Sequence, residues 1–132
     1  MAQENVELVQ DGFSALARGD FESFIAVLDQ DVEWVNPAYA VEPGTRRGIG
    51  EFREALDLLR ASFGDIRPEV LEMIEAGDAV VVVGRWTGEG TGSGLPMEAT
   101  FSSVLTVQDA KVVRYEWFRE KAEALEAVGL SG

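Results

Sequence analysis

The chain has 132 residues, of which 46% are hydrophobic and 27% are charged, and this is enough for one globular domain with a hydrophobic core. Its 11 basic and 24 acidic residues give a net charge of -13, so electrostatic repulsion disfavours binding to nucleic acids and to anionic membranes. Cysteine and histidine are both absent, which excludes disulfides, the usual zinc ligands and every catalytic triad that uses an imidazole base.

The N-terminal residues, M-A-Q-E-N-V-E-L-V-Q, contain neither the basic nor the apolar segment of a signal peptide. No apolar stretch approaches the roughly 18 residues expected of a membrane span. We therefore expect a single domain over residues 1–132 that is soluble, cytoplasmic and without a metal, a membrane or a nucleic-acid partner.

The first part of the chain shows helical periodicity. Between Val6 and Leu16 the apolar residues recur three or four positions apart, and Gly19 is suited to end a helix. Asp20 then predicts the N-cap of a second helix. The apolar stripe of this second helix is formed by Phe21, Phe24, Ile25 and Leu28.

A short strand is predicted over Asp31 to Asn36, and Pro37 ends it. Residues 38–48 are rich in Pro, Gly and Arg, and we interpret them as a long loop and a candidate lid. The two arginines of this loop, Arg46 and Arg47, either bind a carboxylate at the mouth of a pocket or are solvated turn residues.

The rest of the chain predicts one long helix, then a run of antiparallel strands, then a short helix. The long helix covers Ile49 to Phe63, with Phe52, Ala55, Leu56 and Leu59 as its apolar stripe. The strands cover residues 69–74, 79–88, 97–107 and 111–118, and the last helix covers residues 120–128. The glycine-rich segment 88–94 joins two strands and is followed by neither a helix nor a lysine, so it predicts a hairpin and not a phosphate loop.

The order α-α-β-α-β-β-β-β-α predicts an α+β fold, with the helices collected on one face of a curved antiparallel sheet. If Thr91 and Gly92 form the hairpin tip, Val80 pairs with Ser103, Val82 with Phe101, Gly84 with Ala99 and Trp86 with Met97. These apolar residues would face the helices. The opposite face would carry Arg85, Thr87, Glu98, Thr100, Ser102 and Thr106 toward water or a partner subunit.

The last strand, K-V-V-R-Y-E-W-F, alternates aromatic and charged side chains. In this register Tyr115 and Trp117 face the helices, while Glu116 points outward and pairs either with Arg114 or across a dimer. A slip of one residue would instead turn Glu116 inward, where a buried carboxylate with a raised pKa is suited to act as a general base.

Several segments resemble one known family when they are taken in order. They are the helical pair with its Gly-Asp corner, W-V-N-P, E-P-G-T-R-R-G, the A-G-D turn and the last strand. Together they resemble a SnoaL-like domain, the polyketide-cyclase-type branch of the nuclear transport factor 2-like superfamily, which also contains ketosteroid isomerase and limonene epoxide hydrolase. The resemblance implies a cone-shaped sheet wrapped around helices, an apolar pocket, and a homodimer formed through the outer sheet face.

The resemblance does not carry the catalytic residues of those enzymes with it. The general base of ketosteroid isomerase corresponds to Asn36, and its two hydrogen-bond donors correspond to the neighbourhoods of Gly12 and Ser103. The acid/base aspartate of the SnoaL cyclase corresponds to Trp117. The aspartates and arginine of the epoxide hydrolase have no counterpart on the apolar face.

The apolar face nevertheless suggests a binding site for a hydrophobic small molecule. Its expected lining is Trp34, Tyr39, Trp86, Phe101, Ser103, Tyr115 and Trp117, with Asn36 as a further polar point. The same aromatic residues would also suit an ordinary core, and the sequence leaves both interpretations open.

Two functions remain open. One is a cofactor-free enzyme that performs cyclisation, isomerisation or hydration by proton transfer. Its acid/base group would be Glu116 or Tyr115, with Asn36 and Ser103 holding the oxyanion. The other is a non-catalytic domain that binds a hydrophobic ligand or mediates dimerisation.

Overall fold

The computed structural model describes residues 2–40, 43–63, 67–89 and 96–130. The helices are α1 (Ala2–Ala17), α2 (Phe21–Ala26), α3 (Ile49–Phe63) and α4 (Lys121–Ala127). The strands are β1 (Leu28–Asn36), β2 (Gly44–Arg47), β3 (Arg67–Ala76), β4 (Ala79–Glu89), β5 (Pro96–Gln108) and β6 (Lys111–Phe118). This confirms the predicted α+β class, while residues 90–95 of the glycine-rich hairpin lie outside the described residues. Within the described ranges, no helix combines the length and apolarity needed to cross a membrane.

The six strands form one sheet in the order β2-β1-β6-β5-β4-β3. Neighbouring strands run antiparallel except for one pair, because β1 runs parallel to β6. Parallel neighbours require a long crossover, and here that crossover is the whole chain between the two strands. The first and last strands of the sequence therefore lie side by side in the sheet.

Two stretches have a different secondary structure from the one predicted from the sequence. The loop predicted over residues 38–48 contains β2, which pairs with β1 through contacts such as Trp34 opposite Arg46. This four-residue strand has no hydrophobic alternation that could reveal it in the sequence. Leu28, predicted as part of the second helix, instead begins β1, and it is buried in the core in either case.

The register of β4 against β5 also differs. Val80 pairs with Leu105, Val82 with Ser103, Gly84 with Phe101 and Trp86 with Ala99, so the predicted partners are wrong by two residues. Glycines at alternate positions of the hairpin permit a turn at several places, so the sequence does not fix its centre. A shift of two residues leaves every side chain on its predicted face.

The two faces of the sheet are covered by different helices. We call the face that packs against α1, α2 and α3 the inner face, and it holds most of the core, including Val80, Val82 and Leu105. The short helix α4 packs on the opposite, outer face, where Ala124 contacts a cluster with Val81 and Val104. The prediction that all helices lie on one face is therefore wrong for α4. Ser102, predicted to be exposed on the outer face, is buried.

Gly84 provides the space that the inner face needs beside the Phe101 ring. A Cβ atom at Gly84 would lie 2.6 Å from the Glu69 carbonyl oxygen and 2.8 Å from Phe101 Cζ. We expect Gly84→Ala to lower the free energy of unfolding by about 1–3 kcal/mol, because the backbone oxygen cannot move away cheaply. Urea denaturation measures this change.

Gly50 in α3 offers the matched control for this substitution. An added Cβ at Gly50 meets nothing within 4 Å, so Gly50→Ala should raise the free energy of unfolding by about 0.4–1 kcal/mol. A Gly84→Ala variant that is as stable as wild type would contradict the packing described for Phe101.

Candidate functional site

Five large aromatic residues share the inner face, and we call this group the aromatic face. It consists of Trp34, Trp86, Phe101, Tyr115 and Trp117. Their alignment follows from the strand register, since Trp34 lies opposite Tyr115 in the parallel pair of β1 and β6. The Trp34 and Tyr115 ring centres are 5.3 Å apart, as are those of Trp86 and Phe101.

The aromatic face is closed around three of its rings and more open at the other two. Trp34, Tyr115 and Phe101 are 5–8% exposed, whereas Trp86 and Trp117 are only half-buried. These two tryptophans lie at different levels of the sheet, because Trp117 is opposite Ser103 and Trp86 is opposite Ala99. Solvent therefore reaches the aromatic face at Trp86 and at Trp117.

A buried pair of hydroxyl groups lies at the centre of this face. Ser103 Oγ donates a hydrogen bond of 3.1 Å to the Tyr115 hydroxyl oxygen, and Ser103 is fully buried. Burial raises the pKa of Tyr115 to about 12, although the hydrogen bond from Ser103 acts in the opposite direction. At neutral pH the Tyr115 hydroxyl is therefore uncharged and cannot act as a phenolate base.

Asn36 joins two tryptophans of the aromatic face. Its Oδ1 atom accepts hydrogen bonds from Trp34 Nε1 at 2.7 Å and from Trp117 Nε1 at 2.6 Å. An indole nitrogen can only donate, so these two contacts fix which end of the Asn36 amide is the oxygen. Asn36 thus acts here as an acceptor between two neighbouring strands.

Tyr39 lies beside the aromatic face and links the segment after β1 to the start of α4. Its hydroxyl accepts a hydrogen bond of 2.8 Å from the Arg119 backbone N–H and donates one of 3.2 Å to Glu123 Oε1. The Arg119 guanidinium lies 3.9 Å from the centre of the Tyr39 ring. The ring of this residue, and not its hydroxyl, is the part that faces Trp117, at 6.1 Å between ring centres.

Glu116 lies on the outer face. It is opposite Val104, whose side chain belongs to the cluster under α4. Its Oε1 atom is 3.6 Å from Arg114 Nη2. The register that would turn Glu116 inward does not occur, so the structure separates this carboxylate from Tyr115 and Asn36.

A family model described as a SnoaL-like domain matches residues 9–115. The chain belongs to the SnoaL-like domain family. This match covers most of the chain and includes every residue of the aromatic face except Trp117. No curated protein gives a significant sequence match.

Solved structures share the fold of this SnoaL-like chain over nearly its whole length. A nuclear transport factor 2-like protein of unknown function from Burkholderia pseudomallei is 24% identical, with a TM-score of 0.77 and coverage of 96% of this chain and 98% of that one. TerC, co-crystallised with polyporic acid, is 26% identical, with a TM-score of 0.77 and coverage of 95% and 98%. A similar protein from Burkholderia thailandensis is 26% identical, with a TM-score of 0.76 and coverage of 93% and 95%.

The SnoaL-like site offers hydrogen-bonding groups in place of carboxylates. Every aspartate and glutamate whose burial the structure describes is at least partly exposed. In the described part of the chain there is also no group of three or more acidic side chains that could hold a metal ion. The polar groups that lie among the aromatic rings, those of Ser103, Tyr115 and Asn36, are therefore neutral.

The two loop arginines lie on different sides of β2. Arg46 is opposite Trp34 and is half-buried on the same face. Arg47 is exposed and forms an ion pair with Glu33 at 2.7 Å. Only Arg46 is therefore placed near the aromatic face.

Phe52 of α3 is a wall of the site that sequence reasoning missed. Its ring centre is 4.7 Å from that of Trp34 and 5.9 Å from that of Tyr115. The helical stripe of α3 predicts that Phe52 is buried, but periodicity alone does not say which strand residues it contacts.

The buried hydroxyl of Tyr115 can be titrated directly, because the chain has only two tyrosines. In a Tyr39→Phe variant we expect tyrosinate absorbance to appear near pH 12, since burial opposes the charged phenolate. Rapid mixing to each pH records the folded protein before it unfolds. A midpoint near the ordinary value of 10 would show that Tyr115 is solvated.

The same shift predicts the direction of alkaline destabilisation. The folded pKa lies above the unfolded value, so this contribution to stability is complete below pH 10 and is lost as the pH rises to about 12. The loss should reach about 3 kcal/mol. When Tyr115→Phe is added to the Tyr39→Phe variant, the tyrosinate absorbance step and this part of the loss of stability should both disappear.

Proposed function

We propose that this SnoaL-like chain binds a hydrophobic small molecule that carries an oxygen acceptor, such as an aromatic ketone or a quinone. The apolar part of the ligand would lie against the aromatic face, and Tyr115 would donate a hydrogen bond to the oxygen. The observation that carries the proposal is the buried Ser103–Tyr115 hydrogen bond among aromatic rings.

The aromatic rings supply the affinity in this proposal. Trp86 and Trp117 are half-buried and face inward, so a ligand between the sheet and the helices would remove apolar surface from water. Each Å² of apolar surface so removed contributes about 25 cal/mol. Trp117 is two residues from Tyr115 on β6, so a ligand bound to the Tyr115 hydroxyl would lie close to this indole.

The Ser103–Tyr115 pair supplies the specificity. Because Ser103 donates the bond between them, the Tyr115 hydroxyl keeps its own proton for another acceptor. Its high pKa keeps that proton in place at neutral pH. A buried site built to donate a hydrogen bond discriminates against ligands that lack the acceptor.

A catalytic role is the second candidate, and Tyr115 is the residue that favours it. A neutral donor directed at a carbonyl oxygen stabilises the negative charge that develops when a base from the solvent removes the proton next to that carbonyl, as in enolisation or isomerisation. In this proposal Asn36 keeps its acceptor role and Glu116 takes no part at the aromatic face. No cofactor is required for such chemistry.

The comparison with TerC supports small-molecule binding on this fold. TerC was co-crystallised with polyporic acid, and it is 26% identical to this chain over 95% of the length. That compound is therefore a suitable first ligand for this protein.

The test uses a matched pair of probes, the aromatic ketone 1-tetralone and the hydrocarbon tetralin. We expect wild type to bind tetralone about five to ten times more tightly than tetralin, because one buried hydrogen bond contributes about 1 kcal/mol. Tyr115→Phe should lose the preference for tetralone, because the buried ketone oxygen then lacks the tyrosine donor. Tryptophan fluorescence measures the two dissociation constants.

Two variants on the outer face serve as controls. Thr106→Val and Glu116→Gln should both keep the preference for tetralone, since neither residue faces the aromatic side. A wild type that binds neither probe nor polyporic acid would refute the proposed function. Deuterium uptake next to the tetralone carbonyl in heavy water, lost in Tyr115→Phe, would establish the catalytic role.

We also propose that the chain forms a homodimer through the part of the outer face that α4 leaves open. A groove of about 720 Å³ lies there. Its lining is Asp29, Asp31, Glu33, Arg47, Thr106, Gln108, Val113 and Arg114. Because the groove carries charges of both signs, a second copy related by a two-fold axis can place its cations against these carboxylates.

Sedimentation equilibrium at micromolar concentration tests the homodimer. We expect a species of about twice the 14.4 kDa chain mass, and Arg114→Glu should weaken it because the substitution places like charges in the groove. Thr87→Val, at a position outside the groove lining, is the control. A wild type that sediments only as a 14.4 kDa species would refute the dimer.

A further inference from the structure

We propose that Asn36 is a positioning residue that holds Trp34 and Trp117 together and thereby orients Tyr115 toward its ligand. This inference rests on the proposed function, since it assigns Asn36 a part in ligand selection at the same site. It differs from a role in which Asn36 itself touches the ligand oxygen.

The side-chain oxygen of Asn36 accepts hydrogen bonds from two tryptophans. The Nε1 atoms of Trp34 and Trp117 lie 2.7 and 2.6 Å from the same Asn36 oxygen. An amide oxygen has two lone pairs, and each indole has a single donor and no acceptor. One side chain therefore satisfies both tryptophans.

The backbone holds Asn36 in place for this role. Asn36 is the last residue of β1, and Pro37, which follows, is buried. A proline restricts the preceding residue to extended conformations. Since Val35 is opposite Glu116 in the parallel pair, the end of β1 lies beside the end of β6, where Trp117 stands.

Trp34 contacts Tyr115 directly, and Trp117 is its neighbour on β6. Trp34 packs against both Tyr115 and Phe52, at 5.3 and 4.7 Å between ring centres. Trp117 is two residues beyond Tyr115 on the same strand and face. If the indoles lose their shared acceptor, they can rotate, and the wall that fixes the Tyr115 ring is lost.

The first test compares the indole N–H signals of wild type, Asn36→Asp and Asn36→Leu by NMR. The chain has three tryptophans, and Trp86 is half-buried like Trp117 but does not bond to Asn36. We expect the Trp34 and Trp117 N–H groups to exchange more slowly than that of Trp86 in wild type and in Asn36→Asp, which keeps an acceptor oxygen. In Asn36→Leu both should lose protection together.

The exchange rates of the wild-type indole N–H groups test the inference even if Asn36→Leu does not fold. Burial alone does not distinguish Trp117 from Trp86, since both are half-buried. Exchange at Trp117 that is as fast as at Trp86 would overturn the inference.

The second test measures the ratio of tetralone to tetralin binding in the same three proteins. We expect Asn36→Leu to lose the five- to tenfold preference for the ketone and Asn36→Asp to keep it. If Asn36 had only a structural role, Asn36→Leu would weaken the binding of both probes without changing the ratio of their dissociation constants. A preserved ratio in Asn36→Leu would therefore overturn the inference.

The two tests separate the inference from the proposed function. If wild type binds neither probe, the proposed function fails, and with it the part of Asn36 in ligand selection. The exchange rates still decide whether Asn36 holds the two indoles. If wild type binds tetralone with the expected preference but the variants do not differ, only the inference about Asn36 fails.

Discussion

The parallel pairing of β1 with β6 is the contact on which the site depends. It places Trp34 opposite Tyr115 and brings Asn36 beside Trp117. Asn36 and Trp117 are 81 positions apart in sequence, so the site is complete only when the last strand has joined the first. Closing a long loop costs chain entropy, and this cost is offset only when the contacts between the two strands have formed. We therefore expect β1 and β6 to pair late in folding.

The two-residue period of the strands explains why much of the site could be predicted. Alternation, the assumed hairpin tip and the family resemblance together assigned Trp86, Phe101, Tyr115 and Trp117 to one face, and Glu116 to the other. The predicted β4–β5 register was wrong by an even number of residues, so each side chain was still assigned to the correct face. An odd error would have exchanged Tyr115 with Glu116 and reversed the chemistry of the site.

The remaining features could not be read from local patterns. The strand β2 has no alternation, and the side on which α4 packs depends on where the chain turns after Phe118. The Asn36–Trp117 hydrogen bond and the hydrogen bonds of Tyr39 join residues that are 80 or more positions apart. Sequence reasoning could mark these side chains as polar groups near an apolar face, but only the assembled sheet shows that Asn36 accepts from two indoles and that the Tyr39 hydroxyl bonds to Arg119 and Glu123.

The chain has a net charge of -13, yet its described buried residues carry no carboxylate. A buried carboxylate without a partner costs several kcal/mol, whereas a hydroxyl or an amide needs only a hydrogen bond. Ser103, Tyr115 and Asn36 meet that requirement with one another and with two indoles. The interior can therefore stay polar at a few points without a counter-ion, and under the proposed function it would select ligands by the position of an uncharged oxygen and not by net charge.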